Sequence, residues 1–168
     1  MSVLIRAETP EDSAAIEILT ASAFLNAAHS SHTEQFIVNA LRRAGRLSVS
    51  LVAQDGAAIV GHVAVSPVAI SSGAAGWYGL GPISVLPGRQ REGIGSGLMR
   101  AALTELRRLG AAGCVLLGDP AYYRRFGFAA RPELVLPGVP PEYFQALSFD
   151  GSWPEGSVRY HEAFEATA

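Results

Sequence analysis

Hydrophobic and polar positions in the first part of the chain predict one strand and two helices. The run VLIR at residues 3–6 predicts a short strand. A helix is expected to begin at residues 9–12, where Thr caps, Pro suits the first helical position and two acids favour the positive end of the helix dipole. The sequence Ser-His-Thr-Glu at 31–34 predicts a capping box for a second helix, which Gly45 ends. Apolar residues recur at helical spacing in both segments: Ile16, Leu19 and Ala23, then Phe36, Ile37, Ala40, Leu41 and Ala44.

In the middle of the chain, hydrophobic and polar residues alternate with a period of two. Residues 47–52 and 57–65 predict the two strands of a hairpin, and Asp55-Gly56 between them is a strong turn signal. Residues 77–85 follow as a third strand. Together these segments predict an antiparallel meander.

The segments after this meander alternate between helix and strand. Apolar residues at helical spacing predict a helix that ends at Gly110, and residues 114–117 follow as a short buried strand. Because a strand–helix–strand crossover joins them, this strand and the third strand of the meander are expected to pair in parallel. Nearer the C-terminus the pattern is weaker and predicts a brief helix at 121–126, strands at 134–136 and 158–161, and a short helix at 142–147.

This order of elements is typical of an α+β protein in which a mixed, mostly antiparallel central sheet carries helices on both faces. The 168 residues suit one domain, and no repeat or long linker divides them, so we expect a single domain over residues 1–168. Hydrophobic residues make up 49% and charged residues 17% of the chain, a balance that excludes a disordered protein.

Charge and cysteine content narrow the classes of function. A formal net charge of −2 argues against a broad nucleic-acid-binding surface. The single cysteine, Cys114, excludes an intramolecular disulfide and a multi-cysteine zinc site. His29 and His32 have helical spacing, but no third metal ligand is evident nearby, so we expect no metal. The N-terminus lacks the apolar core of a signal peptide and no apolar run is long enough for a membrane span, so we expect a cytoplasmic protein without a membrane partner.

Four glycines crowd the junction between the third strand and the next helix, in the stretch VLPGRQREGIGSGLM at residues 85–99. Free backbone N–H groups at a helix N-terminus bind anions, and glycine permits a close approach. A turn with solvated arginines fits the local pattern equally well. A P-loop is excluded because Gly97 is followed by Leu rather than Lys, and a dinucleotide fingerprint is matched only in Gly93-x-Gly95.

Two motifs together resemble the GNAT family of N-acetyltransferases. The pattern V-x-P-x-x-Q-x-x-G-x-G-x-x-L, from Val85 to Leu98, is similar to the family's motif A. The stretch DPAYYRRFGF at 119–128 is similar to its motif B, in which a Tyr, here Tyr123, precedes a Gly-Phe pair by four residues. It is particularly similar to the YhbS-like group of bacterial acetyltransferases. The resemblance is most specific over residues 47–128 and implies the GNAT fold.

The resemblance implies that acetyl-CoA is the donor and that its acetyl group passes directly to a primary amine, with CoA as product. In the family, loop amides hold the pyrophosphate, the preceding strand binds the pantetheine arm, and a strand amide stabilises the thioester oxyanion. By this resemblance Val85 supplies that amide, and Tyr123 protonates the departing thiolate. The implied cofactor-binding residues are Ile83, Ser84, Val85, Gln90, Arg91, Gly93, Ile94, Gly95, Ser96 and Tyr123.

The sequence defines less clearly which residues bind the acceptor amine and take its proton. Tyr123 is alternatively a core aromatic, and its neighbour Tyr122 is expected to face away on the helix and pack. The strand segment 77–82, where the family usually carries a carboxylate base, is uncharged, and residues 118–120 read Gly-Asp-Pro where many members carry an Asn. Candidates for the base elsewhere, each with a structural alternative, are His29, His32, Glu34, His62 and Asp119.

Three functions therefore remain open. The first is an acetyl-CoA-dependent N-acetyltransferase that acts on an amine of a small molecule or a protein. The second is a non-catalytic acyl-CoA-binding or regulatory module, motivated by the missing carboxylate. The third is a nucleotide-dependent oxidoreductase, motivated by Gly93-x-Gly95 and Asp119. By analogy with the family, a homodimer is also expected.

Overall fold

Nine strands and four α-helices follow one another along residues 2–28 and 30–168, the part of the chain that the computed structural model describes. They are β1 (Leu4–Ala7), α1 (Ser13–Phe24), α2 (Glu34–Arg43), β2 (Val49–Asp55), β3 (Ala58–Pro67), β4 (Ala69–Ile70), β5 (Trp77–Val85), α3 (Ile94–Arg108), β6 (Gly113–Leu117), α4 (Pro120–Tyr123), β7 (Leu134–Val135), β8 (Phe144–Ser148) and β9 (Gly156–Arg159). Short 3-10 turns lie at Pro10–Asp12, Pro87–Arg89, Arg124–Phe126, Pro141–Tyr143 and Glu162–Glu165.

Six of the strands form one sheet in the order β1-β2-β3-β5-β6-β8, and β4, β9 and β7 form a smaller sheet of three. Within the large sheet every neighbouring pair is antiparallel except β5 and β6, which are parallel. The predicted mixed, mostly antiparallel α+β sheet and its parallel crossover are therefore confirmed.

Helices cover both faces of this sheet, because successive side chains of a strand point to opposite sides. On one face Leu98 of α3 packs in the same apolar cluster as Leu51 of β2. On the other face Ile16 of α1 and Val38 of α2 pack with Val52, the next residue of β2. Among the described residues, no helix has the length and hydrophobicity needed to cross a bilayer.

The parallel pair of β5 and β6 separates soon after it begins. Trp77 pairs with Gly113, and the ladder ends two residues later, at Gly79 and Val115. From there β5 continues to Val85 along β3 alone, while the end of β6 pairs only with β8. The structure thus opens a gap between two strands at the centre of the sheet.

The helix predicted at residues 142–147 is wrong, because a 3-10 turn ends at Tyr143 and the strand β8 occupies the rest of this segment. Phe144 and Ala146 point to one apolar cluster, which gives the period of two that a strand needs. Gln145 points the other way, and its Nε2 donates to the carbonyl of Gly118 at 2.9 Å. The free edge of β6 supplies the backbone hydrogen bonds, so tertiary pairing overrides the local helical pattern.

The capping box predicted at residues 31–34 is also wrong, although α2 does begin at Glu34. Thr33 is the N-cap and makes no capping bond with its side chain. The Glu34 carboxylate instead accepts a hydrogen bond from Oγ of Ser30 at 2.8 Å. His32 lies between them with a φ of 59°, a left-handed conformation that the box does not accommodate.

Candidate active site

A cavity of about 520 Å³ opens where β5 ends and α3 begins. It is formed by one side of β5, by the glycine loop and by α4 with the turn that follows it. Of the ten residues that the sequence implied for the cofactor, it brings nine together: Ile83, Val85, Gln90, Arg91, Gly93, Ile94, Gly95, Ser96 and Tyr123.

The first turn of α3 presents backbone N–H groups to this cavity. Gly93 caps the helix in a left-handed conformation with a φ of 86°, and the first intrahelical bond runs from the N–H of Gly97 to the Gly93 carbonyl at 3.0 Å. The N–H groups of Ile94, Gly95 and Ser96 therefore have no acceptor within the helix. Together with the positive end of the helix dipole, they have the arrangement that can bind an anion.

Glycine at position 95 keeps this anion-binding site open. A Cβ there would lie 3.5 Å from the hydroxyl oxygen of Tyr122 and 3.7 Å from Cγ2 of Val85. A longer side chain would therefore project between the helix N-terminus and the end of β5. The space that glycine leaves connects the anion site with the strand.

Three arginine side chains lie around the cavity, and one of them is already bonded to carboxylates. Arg89 is engaged on the loop, where it donates to Asp55 and to Glu92 at 2.9 Å each. Arg91 is exposed, and Arg125 lies over the ring of Tyr122, 4.4 Å from its centroid. An anionic ligand would therefore meet the α3 amides together with the guanidinium groups of Arg91 and Arg125.

The backbone of β5 faces two directions in alternation. Leu86 donates its N–H to the carbonyl of Val60 at 2.9 Å, and Ser84 is directly paired with His62. The alternation of an antiparallel ladder therefore directs the backbone groups of Ser84 to β3 and those of Ile83 and Val85 away from it. Away from β3 lies the gap left by β6, so the Val85 N–H is placed to bind a ligand.

Ser84 is the one implied cofactor residue that the cavity does not include. Its side chain is 2% exposed and points to the opposite face of the sheet, next to His62. The period of two in a strand explains the difference, since Ile83 and Val85 cannot share a face with the residue between them.

Tyr123 is held in the cavity wall by close packing. A Cβ on Gly118 would lie 2.2 Å from Cε2 of the Tyr123 ring, so glycine makes room for the ring. The ring meets those of Tyr122 and Phe128 edge to face, at centroid distances of 4.9 and 6.5 Å. Burial raises the pKa of Tyr123, with smaller contributions from Tyr122 and Asp119. The hydroxyl is therefore protonated at neutral pH and able to donate a proton.

Tyr122 also lines the cavity, which the sequence did not predict. Its hydroxyl lies 3.4 Å from Oγ of Ser96. We expected it to face away because it is adjacent to Tyr123, but α4 has only four residues and lies at the cavity wall with both rings turned inward. The available signal was the pair of consecutive tyrosines in the stretch DPAYYRRFGF. Arg125, on the turn that follows α4, also lines the cavity and was not predicted.

The candidates for a general base are scattered, and none of those described lines the cavity. Asp119 caps α4 by accepting the N–H of Ala121 at 2.9 Å. Glu34 is bonded to Ser30, and His32 is exposed. His62 is fully buried in β3, and His29 lies outside the described residues.

Comparison with known proteins gives consistent matches. The family model of the acetyltransferase (GNAT) domain matches residues 46–130. An uncharacterized N-acetyltransferase YhbS from Escherichia coli is 36% identical over 169 residues, which cover 96% of this chain and 98% of the relative. A solved GNAT family acetyltransferase from Brucella melitensis in complex with acetyl-CoA is 50% identical, with a TM-score of 0.88, and the match covers 97% of this chain and 98% of that one. Escherichia coli YhbS in complex with CoA has a TM-score of 0.87 at 34% identity, covering 99% and 93%.

The ionisation of Tyr123 tests this geometry directly. At a pH of about 10 an exposed phenol is roughly half ionised, but the buried Tyr123 is expected to remain mostly protonated because its pKa is raised. Subtracting the ultraviolet titration of Tyr123→Phe from that of the wild type isolates this phenol, and circular dichroism checks that both remain folded. A phenolate signal at or below the ordinary pKa would show that the ring is exposed.

Proposed function

The chain belongs to the GNAT family of acetyltransferases, and from that premise we propose that its cavity binds acetyl-CoA and that the protein transfers the acetyl group to a primary amine of a small molecule or protein. The chain is accordingly an acetyl-CoA-dependent N-acetyltransferase, with CoA as product. The observation that carries this proposal is the unpaired backbone of Ile83 and Val85 beside the free amides of α3. The two ligand complexes of its relatives, one with acetyl-CoA and one with CoA, support it.

We propose that acetyl-CoA binds at two places, the N-terminus of α3 and the open edge of β5. The amides of Ile94, Gly95 and Ser96 hold the pyrophosphate, with Arg91 at the rim. The backbone of Ile83 and Val85 binds the pantetheine arm in the gap, as an added strand would. The residues present therefore fit acetyl-CoA, which supplies the activated acetyl thioester.

Two groups are proposed to act on the reacting atoms. The N–H of Val85 donates to the thioester oxygen as negative charge develops there, and one such donor contributes about 3–4 kcal/mol to lowering a barrier. Tyr123, protonated at neutral pH, supplies the proton for the departing thiolate. The attacking amine must be neutral, so the reaction also needs a group that takes a proton from nitrogen.

A non-catalytic acyl-CoA-binding module is the second candidate function, because none of the described base candidates lines the cavity. The dinucleotide-dependent oxidoreductase has no comparable support. Residues 86–93 separate β5 from α3 and include a 3-10 turn, whereas a dinucleotide fingerprint needs the helix directly after the strand.

The number of domains, the location, the oligomeric state and the absence of other partners are proposed from the sequence. We propose a single domain over residues 1–168 that acts in the cytoplasm as a homodimer, without a nucleic-acid or membrane partner. The net charge of −2 supports the exclusion of nucleic acid. Size-exclusion chromatography with light scattering tests the dimer.

Ligand binding and turnover distinguish the candidate functions. At about 100 times its dissociation constant a ligand stabilises the fold by about 2.7 kcal/mol, so acetyl-CoA and CoA are expected to raise the melting temperature while NAD and NADP leave it unchanged. CoA release is then measured with a panel of alkylamines, polyamines, amino acids and lysine peptides. Stabilisation by CoA without release from any amine would favour the binding module, and a response to NAD alone would contradict the family-based function.

Replacing each tyrosine separately tests the proton donor. Tyr123→Phe is expected to lower kcat by ~10²–10⁴-fold, because the departing thiolate loses its acid. The dissociation constant for CoA, measured by calorimetry, should change little. Tyr122→Phe is the matched control, since it removes a neighbouring hydroxyl from the same cavity. A larger loss in Tyr122→Phe than in Tyr123→Phe would assign the acid to Tyr122 instead.

A further inference from the structure

Gln145 of β8 is a buried polar side chain on the face of the sheet that carries the cavity. It is 1% exposed, and its neighbours Phe144 and Ala146 point to the apolar cluster on the opposite face. Gln145 is directly paired with Leu116 of β6, which belongs to the apolar cluster that the Tyr123 ring packs against. A buried amide in such surroundings disfavours folding unless it is hydrogen-bonded, so its contacts call for an explanation.

The amide of Gln145 holds the peptide group that follows Gly118. Its Nε2 donates to the Gly118 carbonyl at 2.9 Å, and this orientation of the amide is fixed because a carbonyl can only accept. Oε1 is buried and has no hydrogen-bond partner among the described residues. An unpaired buried oxygen destabilises a fold, and an apolar side chain would not bury one. The bond to Gly118 is therefore what Gln145 contributes at this position.

Both backbone polar groups of Gly118 are bonded to the segment that forms β8. The Gly118 N–H donates to the carbonyl of Tyr143, the residue before β8, at 3.0 Å. The Gly118 carbonyl accepts from Gln145, as described above. Gly118 directly follows Leu117, the last residue of β6. The two bonds therefore fix the backbone at the point where the chain leaves β6 and turns into α4.

The position of Tyr123 depends on this backbone in two ways. Gly118 lies directly against the Tyr123 ring, since a Cβ on Gly118 would lie 2.2 Å from Cε2. Asp119, which shares a peptide group with the Gly118 carbonyl, caps α4, and its own carbonyl accepts the N–H of Tyr123 at 3.1 Å. A helix of four residues is too short to be stable alone, so the orientation of α4 depends on the contacts that hold its ends.

We propose that Gln145 is a positioning residue for the proton donor Tyr123 and acts through Gly118, an inference that rests on the proposed N-acetyltransferase function. In that reaction the C–N bond forms as the C–S bond breaks, and the phenolic proton of Tyr123 passes to the departing sulfur. The attacking nitrogen loses one proton to solvent, and the phenolate is reprotonated from solvent. Proton transfer to sulfur requires the hydroxyl within hydrogen-bonding distance. Gln145 does not line the cavity, and it keeps the ring in place by fixing the Gly118 peptide group.

Removing the bond between Gln145 and Gly118 tests the positioning role. Gln145→Met keeps a side chain of similar length and is expected to lower kcat by ~10–10²-fold, because a displacement of about 1 Å in an active site has an effect of this size. The KM for acetyl-CoA should change little. Gln54→Met is the matched control, because Nε2 of Gln54 donates to the carbonyl of Gly56 at 2.7 Å and neither residue lines the cavity. Its kcat is expected to stay near that of the wild type.

A second variant, Gln145→Glu, tests whether the donated hydrogen bond itself is required. The two side chains have the same length, but a carboxylate cannot donate to the Gly118 carbonyl, whereas the protonated acid can. The ratio of the kcat of Gln145→Glu to that of the wild type at the same pH is therefore expected to rise as the pH is lowered. For Gln145→Met the ratio should stay constant, because Met cannot donate at any pH. Division by the wild-type kcat removes the pH dependence of the amine.

The ionisation of Tyr123 gives a readout that needs no acceptor amine. In Gln145→Met, with Tyr123→Phe subtracted in the same background, the phenol is expected to ionise at a lower pH than in the wild type. The reason is that burial raises the pKa of Tyr123, and a ring released from Gly118 is more exposed. Circular dichroism checks the fold of each variant, and if Gln145→Met unfolds, the pH dependence of Gln145→Glu decides the question.

Failure of the positioning role and failure of the proposed function give different results. An unchanged kcat and an unchanged Tyr123 titration in Gln145→Met would overturn the positioning role while the N-acetyltransferase function stands. A kcat ratio of Gln145→Glu that does not vary with pH, or an equal loss of kcat in Gln54→Met, would overturn it as well. A wild type that releases no CoA with any amine would contradict the proposed function, and the Tyr123 titration would then decide alone whether Gln145 positions the ring.

Discussion

The separation of β5 from β6 is the constraint on which the site depends. Trp77 fills the space that a side chain on Gly113 would occupy, since a Cβ there would lie 2.3 Å from the indole ring. This packing fixes the start of the parallel ladder, which ends at Gly79. A Cβ on Gly79 would lie 2.6 Å from Cε2 of Tyr160, so that ring covers the strand where pairing stops. Beyond it, the backbone on one edge of β5 is left for a ligand.

A strand with one free edge can bind the donor there while its other edge stays in the sheet. The side chains of Ile83 and Val85 face the cavity and the amides of α3, whereas Ser84 faces His62 on the other side of the sheet. In our proposal the donor therefore occupies the face that carries the cavity. The packing of Tyr160 on Gly79 also leaves no room for a side chain at that position of the strand.

The glycine spacing, together with the resemblance to the GNAT motifs, predicted nine residues that line the cavity. Glycines that cap α3 and leave its first amides open have a spacing that can be recognised, and the parallel crossover follows from chain order and handedness. The strand β8 could not be predicted, because its hydrogen bonds come from the edge of β6, which is distant in sequence. Likewise, the hydrogen bonds that join Ser50 to Glu8 and to His62 depend on how three segments align in the sheet. The sequence suggested His62 only as one of five candidates, without its partners.

Amide hydrogen exchange at the end of β5 tests whether the Val85 N–H faces the gap and binds the donor. The Val85 amide is expected to exchange readily in the free protein and to become protected when acetyl-CoA is added, because its N–H faces the gap. The Ser84 amide, which is directed to β3, should be protected in both states and serves as the internal reference. Equal protection of Val85 with and without acetyl-CoA, or a change at Ser84 instead, would show that the open edge of β5 does not bind the donor.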